Sequence, residues 1–426
     1  MKVLLISAAF PPLRAGEADH TFQLCLRLAE HGEKVELLTT KGCTASAQLP
    51  FTVHPLMSNW GWADLLRLAG FIRKCRPDAI GLLYSGWIYN DNPMITFAPT
   101  VAKRLLPTVP FVTMLAIVEG SSWGKWPSRI VRKAVQFWAG SKTVDYSFGT
   151  LLRDSDSVIA WSEHHLAEFS AIWPEVHRKG IVIPPPPLMK MCPEHNGATR
   201  EQGRAKLGVR NDDFLLAFFG FVDRGKGIET LFKAVQLVRG ATRNVRLVMI
   251  GGGRGSAQAP ASERARRFKA YEEDMLRYPE QIGIGDKVMW LSGYDWDSEE
   301  ASLYLHAADA CVLPFDQGVT LNRSSFAAAV AHGLPIITTE GERLESPFKH
   351  QENVFLCPPK DPQALAGAIE ALMRDHALQQ RLRKGSTQLA SQWFSWERAV
   401  DRTIQTFRMS SPDQAVSLVE PGLGKV

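Results

Sequence analysis

Apolar residues along this chain fall into two kinds of run, and the two alternate. Short continuous runs bounded by loops read as parallel strands covered on both faces, because they lack the polar alternation of a half-exposed strand. Val3 to Ser7, Val35 to Thr39, Ala79 to Tyr84, Phe111 to Ala116, Ser157 to Ala160 and Gly180 to Ile183 are of this kind. Between them apolar residues recur at helical spacing. Phe22, Cys25, Leu26 and Ala29 share one face of a helix from Glu17 to Glu30 that Gly32 stops, and Trp62 to Cys75 and Thr96 to Leu106 are two more helices.

Four consecutive prolines, Pro184 to Pro187, interrupt this pattern. Polyproline is stiff and fits neither a sheet nor a helix interior, so the stretch predicts a linker. The alternation then restarts. Strands are expected at Phe214 to Phe219, Val245 to Ile250, Lys287 to Leu291, a run ending at Leu313, Pro335 to Thr339 and Asn353 to Cys357. Helices are expected at Ile228 to Val238, Glu299 to His306, Asp361 to Arg374, Ala377 to Lys384 and Trp393 to Phe407. The fold class is therefore α/β, with two Rossmann-like, doubly wound domains facing a central cleft. The N-terminal domain takes residues 1–187, with a terminal helix at 393–409 packing back on it. The C-terminal domain takes 188–392, and 410–426 reads as a disordered tail.

Composition narrows the class. The chain has 426 residues, 45% hydrophobic and 22% charged, too long for one ordinary core. A formal charge of +5 is compatible with anionic ligands or an anionic membrane surface but too weak to imply nucleic acid. Six scattered cysteines without a CxxC pair read as reduced thiols, so neither a disulfide frame nor a zinc site is expected. No apolar stretch has the length of a membrane span. The expected location is cytoplasmic, with peripheral contact at the inner face of the membrane.

Trp123 to Ala139 has two readings, of which membrane contact is one. As a helix this stretch sets Arg129, Arg132, Lys133 and Gln136 against Ile130, Ala134, Phe137 and Trp138, the pattern of an interfacial helix. A surface helix packing the same apolar side onto a core has the same pattern.

The chemistry gathers in loops that follow strands. Asn322, Arg323, Ser324 and Ser325 precede an Ala-rich helix that Gly333 ends, with Ser324 or Ser325 as its expected N-cap. Free helix N–H groups, polar side chains and a guanidinium suit an anion. Gly220 to Gly227, carrying Arg224 and Lys226, and the Gly251-Gly252-Gly253 run are two more loops where backbone can approach a ligand. The first loop, ending at Gly16, lacks the GxGxxG fingerprint, which argues against NAD. Glu119 and Asp316 are carboxylates in loops after strands.

These motifs, in this order, resemble the GT-B glycosyltransferases, specifically the retaining group called family 4, or glycosyltransferase group 1. Pro11-Pro12 through Gly16 and His20 resembles that family's acceptor-side Gly loop. Asp156 to Glu163 is similar to its last N-domain strand, and Ile181 to Pro184 to the strand entering the linker. Gly220 through Gly227 is similar to its donor-diphosphate loop, Gly333-Leu334-Pro335 to its Gly-x-Pro tripeptide, and Trp393 to Trp396 to the start of its final helix.

The resemblance implies a nucleotide-sugar donor, a glycan, lipid-linked or small-molecule acceptor, retention, and no cofactor or metal. It places Gly16, Gly220, Arg224, Lys226, Gly252, Asn322, Arg323, Ser324 and Ser325 at the donor and His20 on the acceptor side. The chain departs from the family at three positions. Its two characteristic glutamates fall on Thr320 and Ala328, and its N-domain histidine on Leu115. Glu119 and Asp316 are the candidate catalytic substitutes. A nucleotide-sugar epimerase shares the fold, but no matching motif is present. The reading from a different class is a non-catalytic GT-B protein that binds a nucleotide, glycan or partner.

Overall fold

A computed structural model describes residues 1–408 apart from 14, 44–47, 117–132, 134–136, 138–146, 195–196, 239–243, 252–262 and 292–297. The chain divides into two compact units, Met1–Pro184 with Trp396–Val426, and Pro185–Ser395.

The first unit is built on seven strands: β1 (Lys2–Ile6), β2 (Lys34–Thr40), β3 (Thr52–Met57), β4 (Ala79–Tyr84), β5 (Phe111–Leu115), β6 (Ser157–Ala160) and β7 (Gly180–Val182). They lie in the order β3-β2-β1-β4-β5-β6-β7, all pairs parallel. Every residue of β4, β5 and β6 is buried, as continuous apolar runs require. Apolar layers cover both faces of the sheet. The helix Trp396–Arg408 completes one of them with Val400, Ile404 and Phe407.

Strand β3 was not expected from the pattern, since Thr52-Val53-His54-Pro55-Leu56-Met57 contains a proline and a histidine. It forms at the sheet edge, where the missing N–H of Pro55 breaks no ladder.

The second unit holds β8 (Phe214–Phe219), β9 (Val245–Ile250), β10 (Val288–Leu291), β11 (Ala310–Leu313), β12 (Ile336–Thr339) and β13 (Phe355–Cys357). Their order is β10-β9-β8-β11-β12-β13, again all parallel. The direction of winding reverses between β8 and β11. In such sheets ligands bind beyond the carboxyl ends of the strands at that point.

A charged knot fixes this junction. Asp309, just before β11, takes Arg200 Nη2 at 2.7 Å and Arg204 Nη1 at 3.3 Å, and accepts the Leu215 N–H of β8 at 2.8 Å. The helix Ala198–Leu207 is thereby tied to both strands. A later helix, His376–Trp393, runs on past Gly385, where the sequence reading ended it at Lys384. Gly385 marks a close approach instead of a stop, because a Cβ there would lie 2.3 Å from the Glu352 carbonyl oxygen. Among the described residues no helix is long and apolar enough to cross a membrane.

Candidate functional site

Strand β8 ends at Phe219, and the loop after it turns sharply. Gly220 has φ +131°, and a Cβ on it would meet that of Ser325 at 3.5 Å. The loop therefore lies against the start of the helix Ser324–Ala331 that follows β11. Its far end is equally constrained. Gly227 has φ +68°, and a Cβ there would stand 1.8 Å from the Pro314 carbonyl oxygen. Asp316 N–H donates to the Gly225 carbonyl at 3.0 Å. The β8 and β11 loops thus form one surface at the reversal of the sheet.

Phe315 is the centre of that surface. Its ring is fully buried, with Lys226 Nζ 5.2 Å and Arg323 Cζ 4.8 Å from its centroid. Both distances are within cation–π range. The Arg323 guanidinium is deeply enclosed, and burial works against its charge while the Glu345 carboxylate nearby works for it. Its Nε is buried without a hydrogen-bond partner among the described residues, and so is Ser325 Oγ. An enclosed cationic donor costs free energy unless something satisfies it. The first N–H groups of a helix are also unpaired within the helix and carry its positive dipole end.

The local chain geometry differs from the expected cap. Arg323, not Ser324 or Ser325, occupies the N-cap position, with extended backbone and no side-chain cap bond. The reason is a turn immediately before the helix. Arg323 N–H donates to the Thr320 carbonyl, and Thr320 Oγ1 donates to Asn322 Oδ1. Buried Glu345 accepts the Leu321 N–H and holds the same turn from the loop after β12. Both serines therefore enter the first helical turn with their hydroxyls uncommitted to capping.

Arg224 extends the cationic surface toward another element. It is exposed, with Cζ 5.3 Å from the ring of Tyr271 in the helix Glu263–Gln281. The Tyr271 hydroxyl donates to Glu229 Oε2 at 2.6 Å. Burial, then that hydrogen bond and charge, push the phenol pKa up, so it stays a neutral donor. The half-buried carboxylate of Asp316 is among the charges acting on it.

The structure thus gathers Gly220, Arg224, Lys226, Asp316, Asn322, Arg323, Ser324 and Ser325 at one edge of the second unit. Gly252 and Glu119 lie outside the described residues, as does Trp123 to Ala139 except Lys133 and Phe137, both exposed. Gly16 opens the first helix of the first unit, Gly16–Glu30. His20, in that helix, is buried between Trp161, 4.8 Å from its ring centre, and Trp396 at 5.7 Å. Burial lowers its pKa to about 4, so the ring is neutral near pH 7. Ala328 is fully buried within its helix, and Thr320 is spent in the turn.

The sequence reading missed Phe315, Tyr271, Glu229 and Glu345. Phe315 had a usable signal, an aromatic directly after a strand-closing proline and beside a candidate carboxylate. Glu229 directly follows the Gly220–Gly227 loop but carries no motif, and Tyr271 and Glu345 come from distant segments that nothing local marks.

Residues 199–389 match the family described as glycosyl transferases group 1. A glycogen synthase of Mycobacterium tuberculosis is 24% identical over 96% of this chain and 94% of its own length. A D-inositol 3-phosphate glycosyltransferase of Catenulispora acidiphila is 29% identical over 53% of this chain and 49% of its own. Among solved structures, a sucrose-phosphate synthase from Thermosynechococcus elongatus superposes with TM-score 0.67 at 21% identity, covering 96% of this chain and 98% of that one. Anabaena Alr3699/HepE, solved with UDP and glucose, gives 0.66 at 17% identity over 95% and 99%. These structures place the chain in the GT-B fold.

Proposed function

We propose, from the premise that residues 199–389 form a glycosyl transferases group 1 domain, that this enzyme moves a sugar from a nucleotide-sugar donor to an acceptor with retention. The observation that carries the reading is the pair of buried, unpartnered donors, Arg323 Nε and Ser325 Oγ, at a helix N-terminus beside Lys226. A donor diphosphate supplies the charge and the acceptor oxygens that this locus lacks. Anabaena Alr3699/HepE, a neighbour in fold, was solved with UDP-glucose.

In this reading Arg323 and the helix N–H groups bind the diphosphate, with Lys226 and Arg224 adding charge from the facing loop. Asn322, Ser324 and Ser325 supply neutral contacts. The leaving group is thus stabilised by fixed cations and dipoles, and no metal or other cofactor is required. Gly16 and Gly252 are the further glycines assigned to the donor, and His20, a neutral ring, is assigned to the acceptor.

Retaining transfer on this scaffold needs no protein nucleophile. It depends on holding the acceptor hydroxyl against the anomeric carbon while the diphosphate departs. Thr320 and Ala328 in place of two glutamates therefore leave the reaction feasible. Asp316, beside the diphosphate loop, and Glu119 are the carboxylates assigned to orient the reacting groups. The acceptor is a glycan, a lipid-linked sugar or a small molecule, and residues 123–139 make peripheral contact with an anionic membrane in the cytoplasm.

The test is to incubate the purified chain with a panel of nucleotide sugars and measure release of nucleoside diphosphate, with and without candidate acceptors. Turnover of one donor supports the reading. Binding of a nucleotide sugar with no release under any condition favours a non-catalytic binding protein, and neither binding nor release rejects both.

A further inference from the structure

The segment that leads from β8 into the helix Ile228–Leu237 is held from outside by one side chain, Tyr271. Tyr271 comes from the helix Glu263–Gln281 and is 4% exposed. It touches the segment at two points. Its ring carries the Arg224 guanidinium, with Cζ 5.3 Å from the centroid, and its hydroxyl donates to Glu229 Oε2 at 2.6 Å. Between those points lie Gly225, Lys226 and Gly227, with both glycines at positive φ. A stretch with two such glycines has many conformations open to it, and Tyr271 fixes it at both ends.

How each group is held decides what it can offer a ligand. A guanidinium paired with a carboxylate spends N–H donors and charge on that partner. One lying on an aromatic face keeps all five donors available. Arg224 is in the second state: it is exposed, and among the described residues no carboxylate lies at salt-bridge distance from it. Carboxylates are nevertheless close. Half-buried Glu229 and Asp316 both act on Tyr271, raising its pKa after the larger effect of burial. The phenol therefore keeps its proton, and it is this neutral donor, not Arg224, that engages Glu229.

We propose that Tyr271 is a positioning residue for sugar transfer: it holds Arg224 on its ring and occupies Glu229 with its hydroxyl, so that the guanidinium stays out of an internal ion pair and presents its donors to the donor diphosphate. Tyr271 acts through Arg224 and Glu229 and makes no contact with substrate. The role rests on the diphosphate reading given above, and it brings a third segment of the chain into the site. It also gives a reason for an exposed arginine to remain unpaired beside two carboxylates.

Calorimetric titration of the full chain with UDP, ADP, GDP and inorganic pyrophosphate tests it, with melting temperatures recorded alongside. Tyr271→Phe keeps the ring but removes the hydroxyl, which releases Glu229 to pair with Arg224. Affinity for whichever of these ligands the wild-type chain binds should fall about tenfold, the order of one charge-assisted contact. Adding Glu229→Gln removes the competing charge and should restore most of that affinity. Tyr271→Leu removes the ring as well, so the same addition should not rescue it. If the leucine variant misfolds, the Tyr271→Phe and Glu229→Gln pair serves alone. The corresponding nucleoside, which has no phosphate, should bind all folded variants alike. Unchanged diphosphate affinity in either Tyr271 variant overturns the inference, as does a loss in Tyr271→Phe that Glu229→Gln fails to restore. A parallel loss of nucleoside binding marks a general disturbance of the unit and also overturns it. These outcomes leave the diphosphate reading in place, whereas a wild-type chain that binds none of the four ligands rejects that reading and the role of Tyr271 together.

Discussion

Lys226 and Arg323 reach the same aromatic ring from two different loops: Lys226 Nζ lies 5.2 Å and Arg323 Cζ 4.8 Å from the centre of Phe315. Two like charges gathered on one buried ring repel each other until an anion arrives. The arrangement is therefore preorganised for a ligand that carries negative charge between them. Lys226→Ala should weaken nucleotide-sugar binding by about one to two decades, the value of a charge-assisted contact of roughly 1.5–3 kcal/mol. Lys233→Ala, in the exposed face of the following helix, should change it little. Titration calorimetry compares the two, and equal losses would remove Lys226 from the site.

Gly227→Ala should be costly although it adds one methyl group. The new Cβ would fall 1.8 Å from the Pro314 carbonyl oxygen, at a φ of +68° that L residues adopt with strain. The β8 and β11 loops must then separate, so both the unfolding midpoint and donor affinity should fall. Loss of stability with unchanged affinity would show that the contact between the loops does not shape the site.

Asp309→Ala should destabilise the second unit by about 3–5 kcal/mol, since it leaves Arg200 and buried Arg204 without their carboxylate. Chemical denaturation measures this. A change below about 1 kcal/mol would mean that solvent or relaxation replaces the lost partner.

How much was readable in advance follows from which interactions are local. Strands β4, β6, β8 and β9 agree residue for residue with the pattern, because a strand covered on both faces is written as a nearly continuous apolar run, broken in β9 only by Arg246. Strand β3 was not readable, since an edge strand tolerates Pro55 and leaves half its side chains in water. At the site, glycines and cations in loops were visible as types. Their arrangement was not, because Lys226 meets Phe315, and Tyr271 and Glu345 join the site, across long stretches of sequence. The Ser324 cap failed for a similar reason: the Thr320 turn, held by Glu345, set where the helix begins.

Stability should also depend on pH in a defined window. Burial lowers the pKa of His20 to about 4, and burial, with His306 as a smaller cause, lowers that of His332 to about 4. Unfolded histidine titrates near 6.5, so between about pH 6.5 and 4 the unfolded chain binds more protons than the folded one. Stability is complete above pH 6.5 and is lost as pH falls toward 4, by up to roughly 3 kcal/mol per histidine. His332→Gln should flatten this dependence. An unchanged slope in that variant would show that His332 titrates normally when folded.

If fixed cations alone meet the diphosphate, chelation of divalent metal should leave the rate of donor turnover unchanged. An activity assay after treatment with EDTA checks this, and loss of activity restored by magnesium or manganese would place a metal at the diphosphate.

The helix beginning at Ser324 should receive a nucleoside diphosphate. A crystal structure of the chain with a nucleoside diphosphate tests it most directly. Phosphate oxygens should lie within hydrogen-bond distance of Arg323 Nε and Ser325 Oγ, with Lys226 beside them. A bound nucleotide that leaves both of these atoms without a partner would contradict it.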